Sequence, residues 1–434
     1  MKGWRDLLLY QSVRASSDRS WDYFLPVYIA AAGSASVSDS SDGGSASAVS
    51  TTALLFAARA LAGLLLTPLF SRWWRPSRLG AFMAVENLGL VCSGVSLWHL
   101  WGVNASSRRF FWLICAGCAM SFEKAASRTQ TTHAEKSAVV EVTSGGTGNA
   151  VALSRANARL VQVDLAFATV SPFIVSFLTA STFLGMRYTV PFLITVQLCL
   201  AVATLPLALR VVSGDGDGWA ERVNRRSPKS KSNPAESSDT KTLSSADTRS
   251  PRLIVLATGM LYFTVVSPGS LFLAYLKNNE MEPYRIAAFA SCGQIAGIAG
   301  SLIVPPIVDY FGLSGASLRL LTFQAIAVTG VAATALLGGA FMLPVMCALT
   351  VISRLGLWGV DLTLRQLVQT RTNERTRVSV FGIQEGWTQA VSLLLYGVVS
   401  SNLFSFPALC ALSACALLTA LICLSVDTIL LHVR

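Results

Sequence analysis

The sequence predicts an all-α integral membrane protein of about twelve transmembrane helices arranged in two six-helix halves. Three observations predict it. Of 434 residues, 53% are hydrophobic and only 13% charged, with a mean hydropathy of +0.54, whereas roughly a quarter of the residues of a soluble domain are charged. Uncharged runs at 165–186, 188–209, 253–276, 286–308, 320–353 and 386–426 each reach the roughly 20 residues that span a bilayer, and the last two have room for about two helices apiece. The longest polar break, 213–250, falls near the middle of the chain. The apolar runs are continuous rather than alternating, which excludes a membrane barrel.

Taken in order, the segments of spanning length are 5–33, 49–71, 79–103, 108–129, 157–182, 187–212, 252–276, 284–309, 315–339, 341–369, 377–400 and 404–431. The first begins within ten residues of Met1 and lacks a small-residue cleavage pattern, so it is expected to serve as its own insertion signal. It is also the most heavily charged, with Arg14, Asp18, Arg19 and Asp22. Asp18 and Asp22, four apart, fall on one helical face. Two carboxylates there repel unless a cation lies between them, one is protonated, or an arginine neutralises them. Arg14 stands four residues before Asp18, so a structural ion pair competes with cation or proton binding. Charges within spans mark pathways by default, which favours binding.

The third segment adds Glu86-Asn87 near its middle, with no Lys or Arg between 79 and 107. In the seventh, Ser267-Pro268-Gly269-Ser270 is expected to break or kink the helix, and broken helices expose backbone carbonyls to substrate. The tenth carries Arg354, Asp361 and Arg365, followed by Asn373-Glu374-Arg375-Thr376-Arg377. These are expected at the cytoplasmic end, where salt bridges between the halves would hold one state closed. For Arg371, Arg375 and Arg377, solvated loop charges serve about as well.

Orientation follows the positive-inside rule. The stretch 213–250 is read as a disordered linker and holds Arg222, Arg225, Arg226, Lys229, Lys231, Lys241 and Arg249. Loops on the same side hold Arg72, Arg75 and Arg78, then Arg371, Arg375 and Arg377, while 34–48 holds Asp39, Asp42 and no base. Both termini and the linker are therefore expected in the cytoplasm, of a plasma or an organelle membrane. Topology thus accounts for the net charge of +11, and no nucleic acid is expected as a partner. The sequon Asn104-Ala105-Ser106 lies on the outer side, close enough to the bilayer to be read as a chance match. Nine cysteines fall inside apolar segments and give no disulfide framework; Cys115 and Cys118, a lone pair, are read as packing. Two six-helix halves joined by a cytoplasmic linker is the plan of major facilitator transporters, whose sites lie at the midplane between the halves.

Several stretches, taken in order, resemble the ferroportin family of metal exporters, solute carrier family 40. The fullest runs from Ser353-Arg354-Leu-Gly-Leu-Trp through Asp361-Leu-Thr-Leu-Arg365-Gln366-Leu, followed by Asn373-Glu374-Arg375 and Gly382-Ile-Gln384. Others are Ser17-Asp18-Arg19-Ser-Trp21, Val85-Glu86-Asn87, Asn157 through Asp164, and Leu261-Tyr262-Phe-Thr264-Val265. The resemblance implies export of Fe²⁺ and related divalent ions, Mn²⁺ and Co²⁺, by alternating access with proton exchange. It implies a monomer in the lipid bilayer and no resident cofactor, with Ca²⁺ as a further candidate ion. Asp18 matches the family's first-helix metal aspartate, but Asp22 stands where a histidine is expected. Glu86-Asn87 match a Gln-Asn, and Gln197 roughly matches an asparagine. Trp21, Ser270 and Gln384 fall along the implied substrate pathway. Ser270 and a position near Leu395 stand where the family has cysteine and histidine, so the soft second-half site is implied to be missing. The acidic loop signature is reduced to Ser71-Arg-Trp-Trp-Arg75-Pro-Ser-Arg78, which alters the inward gate carried by Arg75 and Arg78.

Oxygen ligands alone favour hard or borderline cations. The expected function is divalent-metal export around Asp18, Asp22 and Glu86. The alternatives are an organic-cation or chelate transporter and a cation-binding receptor that moves nothing. An enzyme is not expected, because His99, His133 and His432 are scattered and no Gly-rich phosphate loop precedes a helix.

Overall fold

The computed structural model describes residues 20, 21, 23, 24 and 28, then 44–73, 79–101, 111–123, 125–127, 150–179, 185–213, 252–267, 269–339, 341–372 and 374–432. The expected linker beyond Ser213, the sequon, and the candidate residues Asp18, Asp22, Arg75 and Arg78 lie outside these residues. Among the described residues, every regular element is a helix.

The helices are α1 (Gly44–Trp73), α2 (Leu79–Trp101), α3 (111–123), α4 (Ala150–Thr179), α5 (Gly185–Ser213), α6 (Arg252–Tyr262), α7 (Ser270–Asn278), α8 (Pro283–Leu337), α9 (Met342–Arg371), α10 (Glu374–Ser400) and α11 (Phe406–His432). They answer to the expected segments in order, with two informative differences. The seventh segment is two helices, α6 and α7, with an unwound stretch between them. The eighth and ninth are one helical run of 55 residues in α8. Straight, that run would measure about 80 Å, far more than the ~30 Å hydrocarbon layer. It folds instead at Gly312, whose φ of 69° and ψ of 169° belong to a region that only glycine enters cheaply. Among the described residues, five helices are long and apolar enough to cross a membrane by length and composition: those within α2, α4, α8, α9 and α11.

Large apolar side chains such as Leu65, Ile326 and Leu337 are exposed along the outer faces. A water-soluble surface does not carry so many, and lipid is their natural neighbour. Inside, contact between helices rests on small residues, because lipid tails remove the hydrophobic incentive and leave close packing to join helices. A Cβ on Gly300 would lie 2.5 Å from the Leu355 carbonyl, and one on Gly356 would lie 2.8 Å from the Gln324 side chain. These glycines let the two arms of α8 sit directly on α9. Further packing brings α4 against α8 and α1 against α10.

Candidate functional site

Glu86 and Asn87 lie in the third turn of α2, and Glu86 is 4% exposed. Asn87 donates its amide to the Met83 carbonyl at 2.7 Å, while its Oδ1 accepts no hydrogen bond. Helix α5 runs antiparallel beside α2: the rings of Trp98 and Tyr188 stand 6.0 Å apart, and Gly94 faces Ile194 and Val190. That register carries Gln197 to within about one turn of Asn87. Gln197 is 7% exposed, and its Oε1 also accepts nothing. A buried acceptor without a donor costs about 1–3 kcal/mol, and two such oxygens with a buried carboxylate form a set of acceptors suited to a cation.

The first segment joins this region through Tyr28, whose hydroxyl donates to the Leu97 carbonyl at 2.9 Å. Trp21 is buried edge-on to Phe24, with a ring separation of 5.9 Å, and its Nε1 has no acceptor. Among the described residues, no three His, Cys, Asp or Glu side chains form a group that could hold a metal ion. The acids expected to complete the set, Asp18 and Asp22, lie outside them.

In the second half, the stretch before α7 does more than kink the helix. Gly269 is extended, with φ −117° and ψ −172°, and α7 starts anew after it. The unwound stretch is held by side chains. Thr264 Oγ1 accepts from the Val266 amide at 3.0 Å, a local bond that competes with helix continuation. Ser413 of α11 accepts from the Val265 amide at 3.0 Å. Arg354, 6% exposed, donates from Nη2 to the Val266 carbonyl at 2.9 Å, while its Nε has no acceptor. Two turns further along α9, Asp361 accepts from the Tyr262 hydroxyl and from Arg365, both at 3.0 Å.

Arg354 therefore stands near the middle of the 30-residue α9 rather than at its end. The hydrogen bonds of Arg354 and Asp361 brace α6 against α9 within the second half, where bridges between halves were expected. The reason is the break, which frees the Val266 carbonyl to accept from Arg354 of α9 at 2.9 Å and from the Thr264 hydroxyl at 3.5 Å. Glu374 and Arg377 lie in the first turn of α10, and Ser270 opens α7; their side chains are outside the description. Gln384 is half-buried, with an Oε1 that accepts nothing. Arg371, for which a solvated loop charge served equally well, is paired: it meets Asp427 at 2.6 Å and donates to Ser314 at 3.1 Å.

The seam between the halves holds contacts that sequence reasoning did not foresee. Asn157 in the third turn of α4 donates to Gln369 Oε1 near the end of α9 at 2.9 Å. Ser291 donates to the Thr169 carbonyl at 2.7 Å. At the far end of α4, the hydroxyls of Tyr23 and Ser176 stand 3.0 Å apart, and Tyr23 also reaches the Pro283 carbonyl at 3.5 Å. On the other seam, Phe56 and Tyr396 pack with ring centroids 5.6 Å apart. Polar residues in apolar spans were the signal available for Gln369 and Ser291, but which of them meet is a matter of topology.

The helical plan resembles solved structures over nearly its full length. A bacterial homologue of the iron transporter ferroportin in an inward-facing state matches with a TM-score of 0.70 at 20% identity, covering 98% of each chain. The outward-facing state gives 0.68 at 19% identity, again covering 98% of each. Among curated relatives, solute carrier family 40 member 1 of Oryza sativa subsp. japonica is 31% identical over 163 residues, which is 36% of this chain and 34% of the relative. Ferreportin of Bdellovibrio bacteriovorus is 29% identical over 150 residues, 34% of each. The matched stretch thus spans about a third of the length of these relatives. The profile of the Ferroportin1 (FPN1) family, by contrast, runs from residue 17 to residue 417, from the first segment into the last helix, and on that ground the chain belongs to the ferroportin family.

Proposed function

We propose that this protein is a multi-pass secondary transporter that exports divalent metal ions, Fe²⁺ foremost and also Mn²⁺ and Co²⁺, by alternating access. The observation that carries the reading is the pair of unmatched amide oxygens, on Asn87 and Gln197, near buried Glu86. Membership of a transporter family and a fold like that of a transporter solved facing both ways support it. Asp18 and Asp22 are the proposed first-segment ligands, so the cargo is met by carboxylate and amide oxygens alone, a hard set that Ca²⁺ would also enter. Proton exchange accompanies export in this reading, as the resemblance to the family implies.

The seams supply the alternation. Nineteen residues of α4, about 28 Å of helix, separate Asn157 from Ser176, so the two polar ties stand at opposite faces of the hydrocarbon layer. Each is a neutral hydrogen bond worth about 0.5–1.5 kcal/mol net, weak enough for either end to part while the other holds. By the distribution of Lys and Arg, the Asn157–Gln369 end, both termini and the linker face the cytoplasm, and the transporter works as a monomer. The remaining gating candidates, Arg75, Arg78, Glu374 and Arg377, are assigned to that end.

The test is uptake of Mn²⁺, Fe²⁺ and Co²⁺ into dye-loaded proteoliposomes by the wild type, Asp18→Ala and Glu86→Ala, with Ca²⁺ or spermidine as competitor. Flux by the wild type that both variants lose supports the reading. A folded wild type that moves no metal overturns it, and suppression of a spermidine flux by metal would turn the cargo into an organic cation.

A further inference from the structure

The unwound stretch between α6 and α7 offers what a cation would seek, a backbone carbonyl freed from helical bonding, and the carboxylate of Asp361 stands two turns further along α9 than the side chain that meets it. Both are already taken. The Val266 carbonyl is met by Arg354 at 2.9 Å, and Asp361 is met by Arg365 and the Tyr262 hydroxyl, each at 3.0 Å. The Arg354 Nε, buried in an interior where charge is expensive, keeps a donor with no acceptor. An incoming divalent ion would have to displace a fixed cation and then sit beside it. In a low-dielectric interior, repulsion between like charges a few ångströms apart outweighs what one carbonyl returns.

We propose that Arg354 is a resident cation that occupies the ion position of the second half, so that this chain carries a single divalent ion, in the first half. The proposal rests on the transport reading above and adds a stoichiometry and a residue that enforces it. The guanidinium does for the freed carbonyl what a metal would otherwise do, without leaving. The break is thereby kept open as a hinge between α6 and α7 rather than as a binding site.

Equilibrium binding of Mn²⁺ to the purified full-length chain, counted by the loss of the free-ion electron paramagnetic resonance signal, tests this. The wild type is expected to bind one ion per chain. Ligands are then added on the break itself, as Ser267→Asp with Ser270→Cys. With Arg354 in place, this pair of changes is expected to bind no further ion, and Arg354→Lys in the same background keeps that count. Adding Arg354→Gln, which preserves a donor for the Val266 carbonyl, is expected to raise the count by one. A second ion bound by the wild type, or by the paired variant with Arg354 intact, overturns the proposal, and that arm does not depend on Arg354→Gln folding. A folded triple variant that gains nothing over the paired variant overturns it as well. If the wild type binds no ion but the triple variant gains one, the transport reading of the first half fails while the role of Arg354 stands.

Discussion

At Asn87 and Gln197, the first half buries amide oxygens that nothing satisfies, whereas around the break in the second half, a carbonyl and a carboxylate are each met by a guanidinium or a hydroxyl. Both regions place polar groups where lipid-facing helices forbid them, and the cost of burial is met differently. In one, the missing donors leave room for a ligand. In the other, the protein supplies its own partners and gains a braced, irregular backbone. A buried polar cluster is therefore informative by its unfilled valences more than by its charge.

The comparison can be broken most sharply at Glu86. Glu86→Ala is expected to weaken Mn²⁺ binding about a hundredfold, some 2.7 kcal/mol, while Asp361→Asn leaves affinity within about threefold and lowers thermal stability instead. Equal losses of affinity from both would erase the distinction. Next comes the pair that ties the end of α9 to α11, whose side chains are 14% and 11% exposed. Asp427→Leu alone leaves Arg371 with its charge buried and unpaired, at a cost of about 3–5 kcal/mol. The double change Arg371→Met with Asp427→Leu is expected to restore most of that stability in a detergent melt.

Smaller effects refine the picture. At Gly259, an added Cβ would run into the Trp387 indole, so Gly259→Ala is expected to destabilise by about 1–3 kcal/mol, with part recovered when Trp387→Leu is added. Gln197→Leu removes an unmatched oxygen and is expected to raise the melting temperature of the empty protein by the equivalent of about 1 kcal/mol while weakening metal binding. A stabilised variant with unchanged affinity would deny Gln197 any part in binding. Smallest is Asn157→Leu, which frees Gln369 and shifts the balance of open and closed ends by about fivefold, near 1 kcal/mol. Alkylation rates of cysteines placed at the two ends of α4 would report it.

Much of the fold was legible because hydropathy counts membrane crossings directly, and Glu86-Asn87 stood out as an acid in an otherwise uncharged run. Helix ends were less legible. α4 begins at Ala150 rather than 157, because residues such as Ala, Leu and Arg extend a helix beyond the bilayer without adding apolar length. The break before Ser270 was visible, but its stabilising partner was not. Arg354 announces a charge, whereas the Val266 carbonyl it meets carries no mark in the sequence. Asn157 and Gln369, 212 residues apart, and Arg371 and Asp427, 56 apart, become neighbours only when the helices are stacked.

The elbow at Gly312 has a bearing on which lengths of chain the protein tolerates. Because the two arms of α8 meet with one residue out of helical conformation, no slack separates them. An inserted residue would turn the second arm by about 100°, swinging Leu320 and Gln324 from their places against α9 and presenting lipid-facing Phe323 and Ile326 to the interior. Between Pro283 and Leu337, then, the residue count is as constrained as the residues, and a single insertion after Gly312 is expected to do more harm there than most substitutions.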